Sequence, residues 1–94
     1  MTIDRSKILI IDDVPANIMT LWEVLADEFE LQFALSGDVG ITLAKETQPD
    51  LILLDVLMPH SDGYQTCAQF KNDHQLQHIP IIFVTALSDF NDER

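Results

Sequence analysis

The sequence predicts a doubly wound α/β domain built on a parallel sheet. Three short apolar runs, "KILIIDD" (7–13), "DLILLD" (50–55) and "IPIIFVT" (79–85), each hold four or five apolar residues without polar alternation. Parallel strands buried on both faces read in this way. The segments between them carry apolar residues at helical spacing. The most distinctive polar residues fall together where the runs end.

Taken in order, "KILII" opens the chain as a first strand and runs into Asp12-Asp13. After "DDVP", Ile18, Leu21, Trp22 and Leu25 recur at helical spacing, with Phe29 one turn further on, and Pro15 suits a first helical turn. "ELQFALS" (30–36) alternates and reads as an edge strand. Ser36 or Asp38 caps a second helix carrying Val39, Ile41, Leu43 and Ala44, which "TQPD" closes. "DLILLD" is the third strand. A third helix begins after Asp62-Gly63, carries Tyr64, Cys67, Ala68 and Phe70, and ends near "NDHQ". "IPIIFVT" is the fourth strand. The order β-α-β-α-β-α-β calls for right-handed crossovers and helices on both faces of one sheet.

A chain of 94 residues makes one domain with one core. Sixteen acids against five bases leave a formal net charge of −11, which repels nucleic-acid phosphates and anionic membranes and suits cations or basic partner surfaces, although total charge alone reads first as solubility. No apolar run approaches the roughly 20 residues that span a bilayer. "MTIDRSKILIIDD" has acids on both sides of its apolar stretch and no small-residue cleavage site, unlike a signal peptide. The single cysteine, Cys67, excludes an intrachain disulfide framework and fits a reducing cytoplasm.

In sheets of this class, ligands bind beyond the carboxyl ends of the strands. Here the first run ends in Asp12-Asp13, the third in Asp55 and the fourth in Thr85. Alone, Asp12-Asp13 reads equally well as a helix cap; the coincidence of strand exits favours a metal site. Crowded carboxylates raise each other's pKa unless a cation joins them. Hard divalent cations take oxygen ligands, and Mg2+ typically keeps room for waters and a phosphate oxygen beside one or two carboxylates. With its charge neutralised in this way, Asp55 can act as a nucleophile and form an acyl phosphate. The Thr85 hydroxyl and backbone N–H groups after Asp55 and Thr85 can donate to phosphoryl oxygens.

Three motifs in this order, "ILIIDD", "DLILLDVLMPHSDGY" and "IPIIFVTA", resemble the response-regulator receiver domain of two-component signalling, and the resemblance runs over the whole chain. It implies a flavodoxin-like sheet of order 2-1-3-4-5. It implies that Asp55 accepts a phosphoryl group from the phosphohistidine of a sensor histidine kinase or phosphotransfer protein. By the same resemblance Asp13 is a direct Mg2+ ligand, Asp12 its water-bridged neighbour, and the Leu57 carbonyl a backbone metal ligand. Thr85 matches the hydroxyl that moves towards the phosphoryl group, and Ala86 the small residue that keeps the site accessible. Pro59 and Gly63 shape the loop after the phosphorylation strand. Asn17, in "DDVPAN", resembles receivers attached to hybrid kinases or nucleotide-cyclase outputs. Regulation rather than enzymatic turnover is implied, with self-catalysed phosphotransfer and autodephosphorylation at most.

The chain departs from the family pattern at its end. It stops at "LSDFNDER", at or just inside a fourth helix, without a fifth strand, a fifth helix or the lysine that closes the fifth strand. The expected architecture is therefore one receiver domain over 1–94 with sheet order 2-1-3-4. Its five bases, Arg5, Lys7, Lys45, Lys71 and Arg94, supply no clear substitute for that lysine, and only Arg94 can reach in. An apolar fourth strand left as an edge is a template for pairing, so self-association or a rearranged pairing across it is expected, the alternative being that the chain is an excerpt and the rest of the receiver lies elsewhere. A phosphorylation-incompetent pseudo-receiver, acting as an interaction module, is the alternative.

Other conspicuous residues have plainer readings. His60 and Ser61 lie on the loop beside the site, and His74 and His78 read as surface residues, since no cysteine or acid completes a metal set. Cys67 reads as helix packing because no base partner activates it. Trp22 and Tyr64 read as packing residues, and "SDFNDE" as a solvated helix start. A haloacid-dehalogenase-like phosphatase requires an acid where Leu57 stands, and a flavin carrier would find its phosphate repelled by "DDVPAN"; both are rejected.

Overall fold

The computed structural model describes residues 5–55 and 63–84. In chain order the elements are β1 (Lys7–Ile11), α1 (Pro15–Leu25), β2 (Glu30–Ala34), α2 (Gly37–Thr47), β3 (Leu51–Asp55), α3 (Gly63–Asn72) and β4 (Ile81–Val84). The strands form one sheet of order β2-β1-β3-β4, and every neighbouring pair is parallel. The expected order and the edge position of β2 are both present. The expected fourth helix lies outside the described residues.

Alternation along the strands sends side chains to both faces of the sheet, so the apolar interior is two clusters rather than the single core expected from chain length. On one face Ile8 and Ile10 of β1 pack with Ile18 of α1, joined by Leu21, Trp22, Phe29, Leu31, Leu51 and Leu53. On the other, Leu9, Ile11, Ala34, Ile52 and Leu54 meet Ala44 of α2 and Phe70 of α3. Each fully buried Leu, Ile or Phe contributes about 1.5–3 kcal/mol relative to exposure. Leu76 and Ile79 also reach this second core, from the turn after α3. Asp73 shapes that turn by accepting the Gln75 N–H on Oδ1 at 2.8 Å, while its carbonyl accepts from Leu76 and Gln77.

The helix ends follow local chemistry. Pro15 sits in the first turn of α1, where the missing N–H costs nothing, and Val14 at the N-cap offers no side-chain acceptor. Ser36, rather than Asp38, caps α2: its Oγ accepts the Val39 N–H at 3.2 Å. Gln48 closes α2 in the left-handed region, at φ 50°.

Three faces differ from the periodicity reading. Val39 is 54% exposed, and α2 instead buries Gly37, Gly40 and Ala44. A Cβ on Gly37 would stand 2.3 Å from Thr66 Oγ1, and one on Gly40 would stand 2.4 Å from Ile11 Cδ1, so close approach selects glycine at both places. On α3, Tyr64 and Ala68 are exposed, whereas Thr66 is buried against Gly37. Strand β4 is not buried on both faces: Ile82 is 51% and Phe83 44% exposed. Cys67 is half-buried beside the core and Trp22 meets Phe33 edge-on at 6.1 Å, both in packing roles, while His74 and His78 are exposed.

Candidate functional site

Strand register creates the site. Ile11 of β1 pairs with Leu54 of β3, so the next residues, Asp12 and Asp55, leave adjacent strands side by side. Asp12 continues the ladder by donating its N–H to the Ala34 carbonyl at 3.1 Å. Asp13 follows at the mouth, and Asp55 itself pairs with Val84, the last residue of β4. One carboxylate oxygen from each of Asp12, Asp13 and Asp55 lies within 4.8 Å of the others. Asp12 and Asp55 are each only 3% exposed.

Such a cluster is electrostatically costly unless something offsets it. Burial pushes the Asp12 carboxyl above the usual carboxylate range, and the neighbouring Asp55 charge and a hydrogen bond with Asp55 add to the rise. The Val14 N–H opposes it by donating to Asp12 Oδ1 at 2.9 Å, and Asn17 opposes it by donating from Nδ2 to Oδ2 at 3.3 Å. Asp13 Oδ1 is buried and has no hydrogen-bond partner among the described residues. A buried carboxylate oxygen without a partner among the described residues, on one of three clustered aspartates, fits a hard divalent cation, which supplies the missing charge and takes oxygen ligands.

The structure thus brings Asp12, Asp13 and Asp55 together. Leu57, Pro59, His60, Ser61, Thr85, Ala86 and Arg94 lie outside the described residues; Gly63 is buried as the first residue of α3. The four described bases are all engaged elsewhere. Lys7 opens β1 at the far end of the sheet and donates from Nζ to the Thr47 carbonyl, and Arg5 donates to the Ala26 carbonyl. Lys45 pairs with Asp73 at 3.1 Å, and Lys71 donates to the Ile79 carbonyl. Sequence reading gave Asn17 no place at the site. The available signal was its position in the first turn of a helix that starts right after the acidic pair.

Residues 8–94 match the family model described as the response regulator receiver domain. Among curated relatives, the response regulator PleD of Caulobacter vibrioides is 39% identical over 88 residues, which cover 93% of this chain and 19% of that protein. The polar-differentiation response regulator DivK of Brucella ovis is 34% identical, over 93% of this chain and 72% of DivK. The chain therefore spans about a fifth of PleD but most of DivK. Among solved structures, the signal receiver domain of a signal transduction histidine kinase from Syntrophus aciditrophicus superposes with a TM-score of 0.79. It is 36% identical, over 89% of this chain and 64% of that one. Likeness of this extent, laid over a sheet whose strand exits gather three carboxylates, makes the chain a member of the response regulator receiver domain family, the regulatory phosphoacceptors of two-component signalling.

Proposed function

We propose that Asp55 is the phosphoacceptor and that it takes its phosphoryl group from the phosphohistidine of a sensor histidine kinase or phosphotransfer protein in the cytoplasm. The observation that carries this reading is the convergence of Asp12, Asp13 and Asp55 within 4.8 Å at the carboxyl edge of the sheet. An oxygen of Asp55 attacks phosphorus. The O–P bond forms as the N–P bond breaks, and the departing imidazole keeps the electron pair and takes a proton from solvent. Mg2+ held by Asp13 and Asp55, with Asp12 acting through a water, would neutralise the carboxylates and draw charge off the phosphoryl oxygens. In this reading the Leu57 carbonyl completes the metal ligands, the Thr85 hydroxyl donates to a phosphoryl oxygen, and Ala86 keeps the approach open.

Intact mass after incubation with Mg2+ and acetyl phosphate tests the assignment. One hydroxylamine-labile phosphoryl adduct is expected, absent in Asp55→Asn and in EDTA. A folded protein that gains no adduct would instead support the pseudo-receiver reading. That second reading is favoured by one observation: Arg5, Lys7, Lys45 and Lys71 are all engaged away from the carboxylates. It is joined by a proposal of self-association through β4, supported by the exposure of Ile82 and Phe83.

A further inference from the structure

Asp12 occupies a junction between the carboxylate cluster and the first turn of α1. Its two oxygens are held by different donors from that turn: Oδ1 by the Val14 N–H at 2.9 Å and Oδ2 by Asn17 Nδ2 at 3.3 Å. The first bond is an aspartate-to-backbone turn two residues long, which forms whatever side chain stands at 17. A carboxylate with one such bond still swings about its terminal torsion, a broad and two-fold well. A second bond to the other oxygen fixes the plane. Asn17 is placed for this by the helix itself, since its N–H donates to the Val14 carbonyl at 3.0 Å.

The residue type matters as much as the place. A first helical turn usually favours an acidic side chain. At position 17 an acid would set a fourth carboxylate against Asp12. An amide donates to Oδ2 and brings no charge. We propose that Asn17 is a positioning residue for the metal centre: through its bond to Oδ2 it holds the Asp12 carboxylate in the orientation that serves a divalent cation. The inference rests on the reading of Asp12, Asp13 and Asp55 as a Mg2+ site.

The test uses the 94-residue chain, with Mg2+ affinity from titration calorimetry and the electron paramagnetic resonance spectrum of bound Mn2+ as readouts. Asn17→Leu keeps the bulk and removes the donor, Asn17→Ala removes both, and Asn17→Gln restores an amide. Thermal melts in EDTA establish that each variant folds. The expected result is Mg2+ affinity about ten-fold weaker in Asn17→Leu and Asn17→Ala, the scale on which lost hydrogen bonds in the outer shell of a metal centre are felt, here through the carboxylate that holds the bridging water. The Mn2+ spectrum changes in the same two variants, and Asn17→Gln recovers both readouts. Unchanged affinity and spectrum in Asn17→Leu and Asn17→Ala would overturn the inference. So would an equal loss in Asn17→Gln, which would assign the effect to packing; if Asn17→Leu does not fold, Asn17→Ala and Asn17→Gln decide. Asp13→Asn separates the two levels. If it keeps full Mg2+ affinity, the metal reading itself fails; if it loses affinity while Asn17→Leu does not, only the role of Asn17 falls.

Discussion

Asp12 and Asp55 are buried side by side, and the cost of that pairing is measurable without any phosphoryl donor. The Asp12 carboxyl is raised from its ordinary value of 3.8, first by burial and then by the Asp55 charge. An acid whose folded pKa is raised favours the folded state below 3.8, where both states hold the proton equally. It loses that advantage as pH climbs to the raised value, because the unfolded chain releases its proton first. Asp55→Asn removes one source of the rise. In EDTA at pH 7 the variant should therefore be more stable than the wild type, by on the order of 1 kcal/mol for one close like-charge pair after solvent screening. The gap should narrow as pH falls towards 3.8. Mg2+ should close it from the other side, by stabilising the wild type more than the variant through preferential binding to the folded state. Urea titrations at the two pH values, with and without Mg2+, measure each term. A wild type as stable as Asp55→Asn in EDTA at pH 7 would show that repulsion between Asp12 and Asp55 does not outweigh what the Asp55 carboxylate gains from its own partners.

The strands and their exits were legible because the signal is local: an uninterrupted apolar run ending on an acid needs no knowledge of its neighbours. Asp12, Asp13 and Asp55 could be placed at one edge from the order of elements alone. Helix faces were less legible, since which side of α2 is buried depends on what stands opposite. Val39 fits the apolar stripe yet is exposed, while Gly37 and Gly40 interrupt the stripe and are buried. The reason is the close approach of α2 to Thr66 of α3 and to Ile11 of β1, a tertiary fact invisible to periodicity. A double-mutant cycle measures it. Gly37→Ala should destabilise by about 1–3 kcal/mol, the usual range for overpacking, despite alanine's better helix propensity. Thr66→Ala removes the hydroxyl at 2.3 Å and the methyl at 3.1 Å, leaving Thr66 Cβ at 3.3 Å. The combined variant should then lose less than the sum of the two single changes. Additive losses in chemical denaturation would mean that α2 and α3 shift apart freely and that glycine is not required there.

At the scale of the whole molecule, apolar cover is uneven. Helix α1 lies over the β1 and β2 half of one face, with Ile18 buried against Ile8 and Ile10. On that same face of β4, Ile82 pairs in register with Leu53 and is 51% exposed, and among the described residues β4 is the edge of the sheet. Two opposing forces then act between copies of the chain. Apolar area favours contact at roughly 25 cal/mol per Å² removed from water, while a net charge of −11 on each copy opposes it. Salt tips the balance, because the screening length falls from about 10 Å at 0.1 M to about 3 Å at 1 M ionic strength. Sedimentation velocity should therefore show a weight-average mass that rises with protein concentration, and rises further with NaCl. Ile82→Lys separates the two forces: it removes the exposed apolar side chain and also reduces the net negative charge. If repulsion alone set the association, this variant would associate more readily than the wild type. If the apolar patch drives it, the variant should stay monomeric under the same conditions. Its melting temperature in low salt should change little, because a half-exposed side chain contributes little burial. A wild type that remains monomeric at high concentration in 1 M salt would remove self-association through β4 from the proposal.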